Sequence, residues 1–144
     1  ANASIEDIYG DEIIDAYERK VTSFESIVLI NRGNNKFDVQ KLPPLAQSIP
    51  ILTSDVYDIN NDGFEDIVVA GNIYNTEVET PRLDNQFALV LISNKNSNYN
   101  VIGPDKSGLY LSGNTKSIKI IGKDNPKLLV ANNNSDLEVF ELNK

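Results

Sequence analysis

Apolar positions along this 144-residue chain change their period near Thr22. From Ile5 to Lys20, the residues Ile5, Ile8, Ile13, Ile14 and Tyr17 recur at a near-helical spacing. Ser4 is placed to cap the first turn, with Asp7 three residues on. Gly10 interrupts the pattern, so the segment reads equally as one helix or as two short helical pieces. Beyond Thr22, short apolar runs and strict alternations take over, punctuated by Asn, Asp, Gly and Pro. They predict strands at Ser26–Asn31, Lys36–Lys41, Ile49–Tyr57, Asp66–Gly71, Phe87–Ser93, Tyr99–Ile102, Lys116–Ile121, Lys127–Ala131 and Leu137–Leu142. Arg32 to Asn35 and Asn94 to Asn98 read as turns, and the polar stretch Asn72–Gln86 reads as a long loop. About nine short strands with almost no helix make the class all-β. Residues 1–22 form a helical lead-in and 23–144 carry the strands.

The strand pattern repeats. Ile27 to Val39 lines up with Leu89 to Val101, position for position and without a gap. Val56 falls on Ile118, and Ile67 to Asn72 matches Leu128 to Asn133 at an offset shorter by one. A partial third copy begins at Leu137-Glu138-Val139-Phe140. A period of about 60 residues with four strands per unit fits the blades of a β-propeller. A sandwich with accidental similarity is the competing reading. The expectation is about two four-stranded blades, one centred on the acidic loop after Tyr57 and the next spanning Ile118 to Phe140. So few blades cannot close a ring, and an isolated pair leaves apolar faces in water. The chain is therefore expected to pack against the remainder of its own propeller or another polypeptide, which would supply the strand beyond Leu142.

Composition narrows the chemistry. Thirteen Lys and Arg against twenty-one Asp and Glu give a net charge of -8, which argues against nucleic acid as a partner. With neither Cys nor His, the chain cannot build a Ser-His-Asp or Cys-His centre or an ordinary zinc site. No apolar run approaches the roughly 20 residues of a membrane-spanning helix. The absence of Met and the start Ala-Asn-Ala-Ser read as a processed or trimmed chain.

One motif carries specific chemistry. In Asp58-Ile59-Asn60-Asn61-Asp62-Gly63-Phe64-Glu65-Asp66, oxygen side chains fall at positions 1, 3, 5 and 9, and Gly occupies position 6. The spacing is that of an EF-hand loop in its first half, where position 7 contributes its carbonyl, here Phe64. Position 12 would be Val69 rather than Glu, so the loop is shorter and lies between two strands. Asp58, Asn60, Asp62, the Phe64 carbonyl and Asp66 offer Ca2+ at least five hard oxygens. The competing reading is a solvated acidic turn, which leaves three close carboxylates without a counter-cation.

Asp58-x-Asn60-x-Asp62-Gly63-x-x-Asp66, followed by Ile67-Val68-Val69-Ala70-Gly71-Asn72, resembles the FG-GAP/VCBS repeat, the calcium-loop blade of integrin-α-type seven-bladed propellers. Ala70 to Tyr74, Arg82-Leu83-Asp84, Ser107 to Gly113 and Leu129 to Asn134 look like the C-terminal end of bacterial FG-GAP proteins akin to cartilage acidic protein, of the ASPIC/UnbV type. The similarity spans roughly Thr22 to Leu142. It implies an exported, extracellular or cell-surface protein, in many cases an outer-membrane lipoprotein, with the periplasm as an alternative. In the second unit Ile120-Ile121-Gly122-Lys123-Asp124-Asn125-Pro126 replaces the carboxylate ladder, so no ion is expected there.

The leading functional expectation is a non-catalytic, calcium-stabilised module that binds a surface protein or a glycan. Tyr74, Arg82 and Asp84 on the long loop are its candidate partner-binding residues, and the competing reading makes Arg82 and Asp84 structural braces. A structural subunit of a cell-surface assembly and an accessory part of a carbohydrate-active enzyme are the alternatives. Catalysis by the chain itself is not expected, because an oxygen-saturated metal loop leaves little coordination open to substrate.

Overall fold

A computed structural model describes residues 2–94 and 98–143. The lead-in forms two short pieces, α1 (Ile5–Tyr9) and a 3-10 turn (Gly10–Ile13). Ser4 and Asp7 cap α1 reciprocally: the Asp7 N–H donates to Ser4 Oγ at 3.2 Å, and the Ser4 N–H donates to Asp7 Oδ2 at 2.8 Å. Gly10 ends the helix at φ 56°, in the region glycine adopts without a Cβ penalty. No residue of either piece is buried.

Nine strands follow among the described residues, and the chain is all-β: β1 (Ile27–Asn31), β2 (Phe37–Lys41), β3 (Thr53–Tyr57), β4 (Asp66–Ala70), β5 (Leu89–Ser93), β6 (Tyr99–Ile102), β7 (Asn114–Ile121), β8 (Lys127–Asn133) and β9 (Glu138–Glu141). They form three antiparallel sheets, β1-β2, β3-β4-β5-β6 and β7-β8-β9. The expected pair of four-stranded units is thus met once. Among the described residues the second unit has three strands, β7, β8 and β9. Two single-turn helices, α2 (Pro44–Gln47) and α3 (Pro104–Ser107), were not expected from the sequence. Each begins on a Pro, whose fixed φ suits a first turn. The strand expected from Ile49 starts only at Thr53. Residues 95–97 of the turn expected at Asn94 to Asn98 lie outside the described residues, but its ends meet through the Asn94 N–H and Asn98 carbonyl at 3.0 Å.

The four-stranded sheet is the middle layer. Its Val69, Leu89 and Leu91 pack with Leu42, Ala46 and Ile49, and Val28 of β1 joins them. Its opposite face sends Val68, Ala70 and Val90 against Ile118, Ile120, Leu128 and Val130 of the three-stranded sheet. Burial on both faces explains why β4 and β5 read as unbroken apolar runs rather than alternations.

The segments aligned in the sequence agree in part of their register. Leu29 pairs with Val39, and their counterparts in the next copy, Leu91 and Val101, pair in the same way. The second half departs from this. Val56 pairs with Ile67, whereas Ile118 pairs with Val130 and Ile120 with Leu128. The shift is two residues, so each side chain keeps its face. Its cause is loop length: residues 58–65 join β3 to β4, whereas 122–126 join β7 to β8, letting β7 run on through Ile121.

Candidate functional site

The acidic loop folds around its own main chain. Asn61 and Gly63 take left-handed φ values of 58° and 87°, as a turn this tight requires. Asp58 accepts the Asp62 N–H at 3.1 Å and the Gly63 N–H at 2.9 Å. Asn60 Oδ1 accepts the Asp62 N–H at 3.0 Å, and Asp62 Oδ1 accepts the Phe64 N–H at 2.9 Å. These bonds place the side-chain oxygens of Asp58, Asn60 and Asp62 along one turn. Phe64 is half-buried beside them.

Asp66 behaves differently. It is fully buried at the start of β4. Its Oδ2 accepts the Ile59 N–H at 3.0 Å and its Oδ1 accepts the Ser93 N–H at 2.8 Å, tying the loop to the end of β5. No Lys or Arg among the described residues forms an ion pair with it. Each oxygen keeps a further lone pair, and the carboxylate is buried without a basic partner. Among the described residues no three His, Cys, Asp or Glu side chains gather as a metal-binding group. A cation here would depend on Asn60 and a main-chain oxygen as well as on carboxylates. Such a donor set, all hard oxygens, suits Ca2+. Residues 122–126, in the second unit, bring no comparable set of side chains.

The loop 72–86 is pinned at both ends. Ile73 and Leu83 exchange main-chain hydrogen bonds of 2.9 and 2.8 Å. This brings Tyr74, Arg82 and Asp84 together. The Tyr74 hydroxyl donates to Asp84 Oδ1 at 3.0 Å, Arg82 donates to Asp84 Oδ2, and the Arg82 guanidinium lies 4.5 Å from the Tyr74 ring centre. Burial pushes the Tyr74 phenol pKa up, and the Asp84 carboxylate adds to the shift. Burial raises the Asp84 pKa too, but hydrogen bonds from Tyr74 and Gln86 and the Arg82 charge outweigh it, and the net shift is downward. The three candidate residues therefore form one cluster, and Arg82 and Asp84 engage each other and Tyr74.

Three residues that sequence reasoning did not single out join the sheets. Buried Asn72 donates from Nδ2 to the Gly113 carbonyl at 2.8 Å and accepts the Asn85 N–H at 3.0 Å. Thr53 Oγ1 accepts the Ile118 N–H at 3.1 Å. Asp55 of β3 accepts the Ile120 N–H and, at 2.7 Å, Lys119 Nζ. Only their position facing Gly113 and β7, far along the chain, gives them this role, and no local pattern marks it. Asn114 is also buried, and its Oδ1 has no hydrogen-bond partner.

No family model matches the chain, and neither a curated protein nor a solved structure matches it. No helix of the described residues is long and apolar enough to cross a membrane.

Proposed function

We propose that the chain is a non-catalytic, calcium-stabilised stack of propeller-type blades from an exported or cell-surface protein, serving as a binding module. The FG-GAP-like loop is its central feature. The observation that carries the reading is the buried Asp66 carboxylate, without a basic partner, at the end of a turn already lined by Asp58, Asn60 and Asp62. Asp58, Asn60, Asp62, the Phe64 carbonyl and Asp66 would hold the ion. Bound Ca2+ would supply charge neutralisation and rigidity at this turn. Titration calorimetry tests the proposal: binding of Ca2+ at or below millimolar concentration, lost in Asp62→Ala, is expected. Absence of binding removes the cation from the account.

A second reading, that of a structural subunit packed against further protein, is favoured by one face of the β1-β2 sheet. Ile27, Leu29, Phe37 and Val39 share this face and are all exposed, from 43% at Ile27 to 65% at Val39. Their equivalents in the next copy, Leu89, Leu91, Tyr99 and Val101, pack in the core shared with Val28 of β1. Sedimentation velocity on Leu29→Lys tests it. Self-association or co-purified protein lost in the variant supports the reading, and a monodisperse 16.0 kDa species for both chains opposes it.

A further inference from the structure

The loop 72–86 meets the three-stranded sheet at a cavity of about 340 Å3, whose lining includes Tyr74, Asn75, Ser112, Asn114, Asn133 and Asn134. We infer that this cavity is a binding site for a neutral saccharide, with Tyr74 as its aromatic wall and the surrounding amides and hydroxyls as its hydrogen-bonding groups. The inference rests on the reading of the chain as a non-catalytic binding module and is independent of the cation loop.

Four observations converge on this ligand class. First, no lining residue carries a charge, in a chain that is 24% Asp, Glu, Lys and Arg. An anionic ligand finds no cation in the wall, and a metal ion finds no carboxylate. Second, the wall is rich in neutral groups that both donate and accept. Each carboxamide offers an N–H pair and an oxygen, and each hydroxyl does both, which matches the dual character of sugar hydroxyls. Among the described residues, the side chains of Asn75, Asn133 and Asn134 have no hydrogen-bond partner in the protein.

Third, Asn114 is only 6% exposed, and its Oδ1 has no partner. An unserved buried acceptor is destabilising, because it gives up water without gaining a partner. Asn114 lines the cavity, so a rotation of its side chain would turn this acceptor toward a ligand donor. Fourth, the Tyr74 ring is held in place. Its hydroxyl is anchored to Asp84, and the Arg82 guanidinium stacks on it, so the ring is a fixed surface rather than a mobile one. A fixed aromatic ring offers apolar area to the C–H face of a sugar at low entropic cost. The volume lies near the lower end of small-molecule sites, about 300–1,000 Å3, which suits one sugar residue of a longer chain.

The floor is built as firmly as the wall. Ser112 donates from its hydroxyl to Glu138, and Asn132 donates to the other Glu138 oxygen at 3.1 Å. Asn134 holds a left-handed φ of 57°, which fixes the turn after β8 that carries it.

The test is an NMR titration of the isotope-labelled full chain with maltotriose, mannotriose and chitotriose, read on the side-chain amide signals. At least one sugar, at about 10 mM or below, should shift the Asn114 and Asn133 signals together. Tyr74→Ala should weaken that affinity at least about tenfold, while Tyr74→Phe keeps it within about threefold because the ring remains. Asn114→Leu should abolish binding while leaving the melting temperature equal or higher, since it removes an unserved acceptor. If that variant unfolds, Asn133→Ala on the exposed rim gives the same reading without touching the core. No shift with any of the three sugars overturns the inference and leaves the module reading standing. Shifts produced by hexaglycine and by no sugar make peptide the ligand and also overturn it. Shortened sugar products in the titrated sample support the ligand class but overturn the non-catalytic reading.

Discussion

The Asp66 carboxylate at the start of β4 accepts the Ser93 N–H at the end of β5, 2.8 Å away and 27 residues on in the chain. Its other oxygen holds the Ile59 N–H, so one side chain fastens the acidic loop to two neighbouring strands. This separates Asp66 from the rest of the loop. Asp66→Ala leaves two N–H groups without their acceptor and should cost about 2–4 kcal/mol in chelator, and more in Ca2+, where a ligand of the ion is lost as well. Asp62→Ala, on the exposed turn, should cost stability in Ca2+ and little in chelator. Urea melts of both variants under both conditions check this. Equal losses for Asp62→Ala in Ca2+ and in chelator would remove the cation from its role.

Asp55 links two sheets and should show in the acid limb of stability. Burial raises its pKa, but the Ile120 N–H and Lys119 bind the charged form more strongly, and the net shift is downward. A carboxyl with a depressed folded pKa stabilises the fold above its unfolded pKa, about 3.9, and loses that contribution as pH falls through the folded value. The melting temperature should therefore decline below about pH 4. Asp55→Asn should be less stable at pH 7 and should flatten that decline. Thermal melts of both chains from neutral to acid pH provide the comparison.

Tyr74 offers a spectroscopic reading of the loop 72–86. Its phenol pKa is raised by burial and by Asp84. Asp84→Ala should move the Tyr74 titration down toward the ordinary value of about 10. Alkaline ultraviolet difference titration of this variant, compared with Asp84→Ala/Tyr74→Phe to assign the signal, checks the direction. An unchanged titration would mean that the two side chains do not meet in solution.

Gly71 sits where the chain leaves β4. A Cβ there would lie 2.6 Å from the Pro50 carbonyl oxygen and 2.7 Å from the Leu52 nitrogen, both main-chain atoms that cannot swing aside. Gly71→Ala should cost about 1–3 kcal/mol by overpacking. Chemical denaturation gives the value, and the loss should be the same with and without Ca2+.

Secondary structure was legible in the chain because it is a local matter. β-branched runs such as Ile67 to Val69, and the Asn-, Asp- and Gly-rich turns between strands, are short-range signals that local sterics decide. The gapless alignment of Ile27–Val39 with Leu89–Val101 carried over into matching cross-strand pairs, Leu29 with Val39 and Leu91 with Val101. The helical lead-in was legible down to its Ser4–Asp7 cap for the same reason. The acidic loop was legible as a spacing, but the inward turn of Asp66 was not, because it answers to Ser93 on another strand.

How the sheets are joined was settled by packing alone. Asp55 reaching Ile120, Asn72 reaching Gly113, and the meeting of Tyr74 with Asn114 and Asn133 depend on the stacking of layers. Those contacts join segments far apart in the chain, and nothing in the neighbouring sequence of any one residue encodes them. The two-residue shift between β7 and β8 shows the limit most plainly. The repeat places Ile118 opposite Leu128, whereas the structure pairs it with Val130, because a shorter connection let β7 extend while the same apolar face stayed in the core.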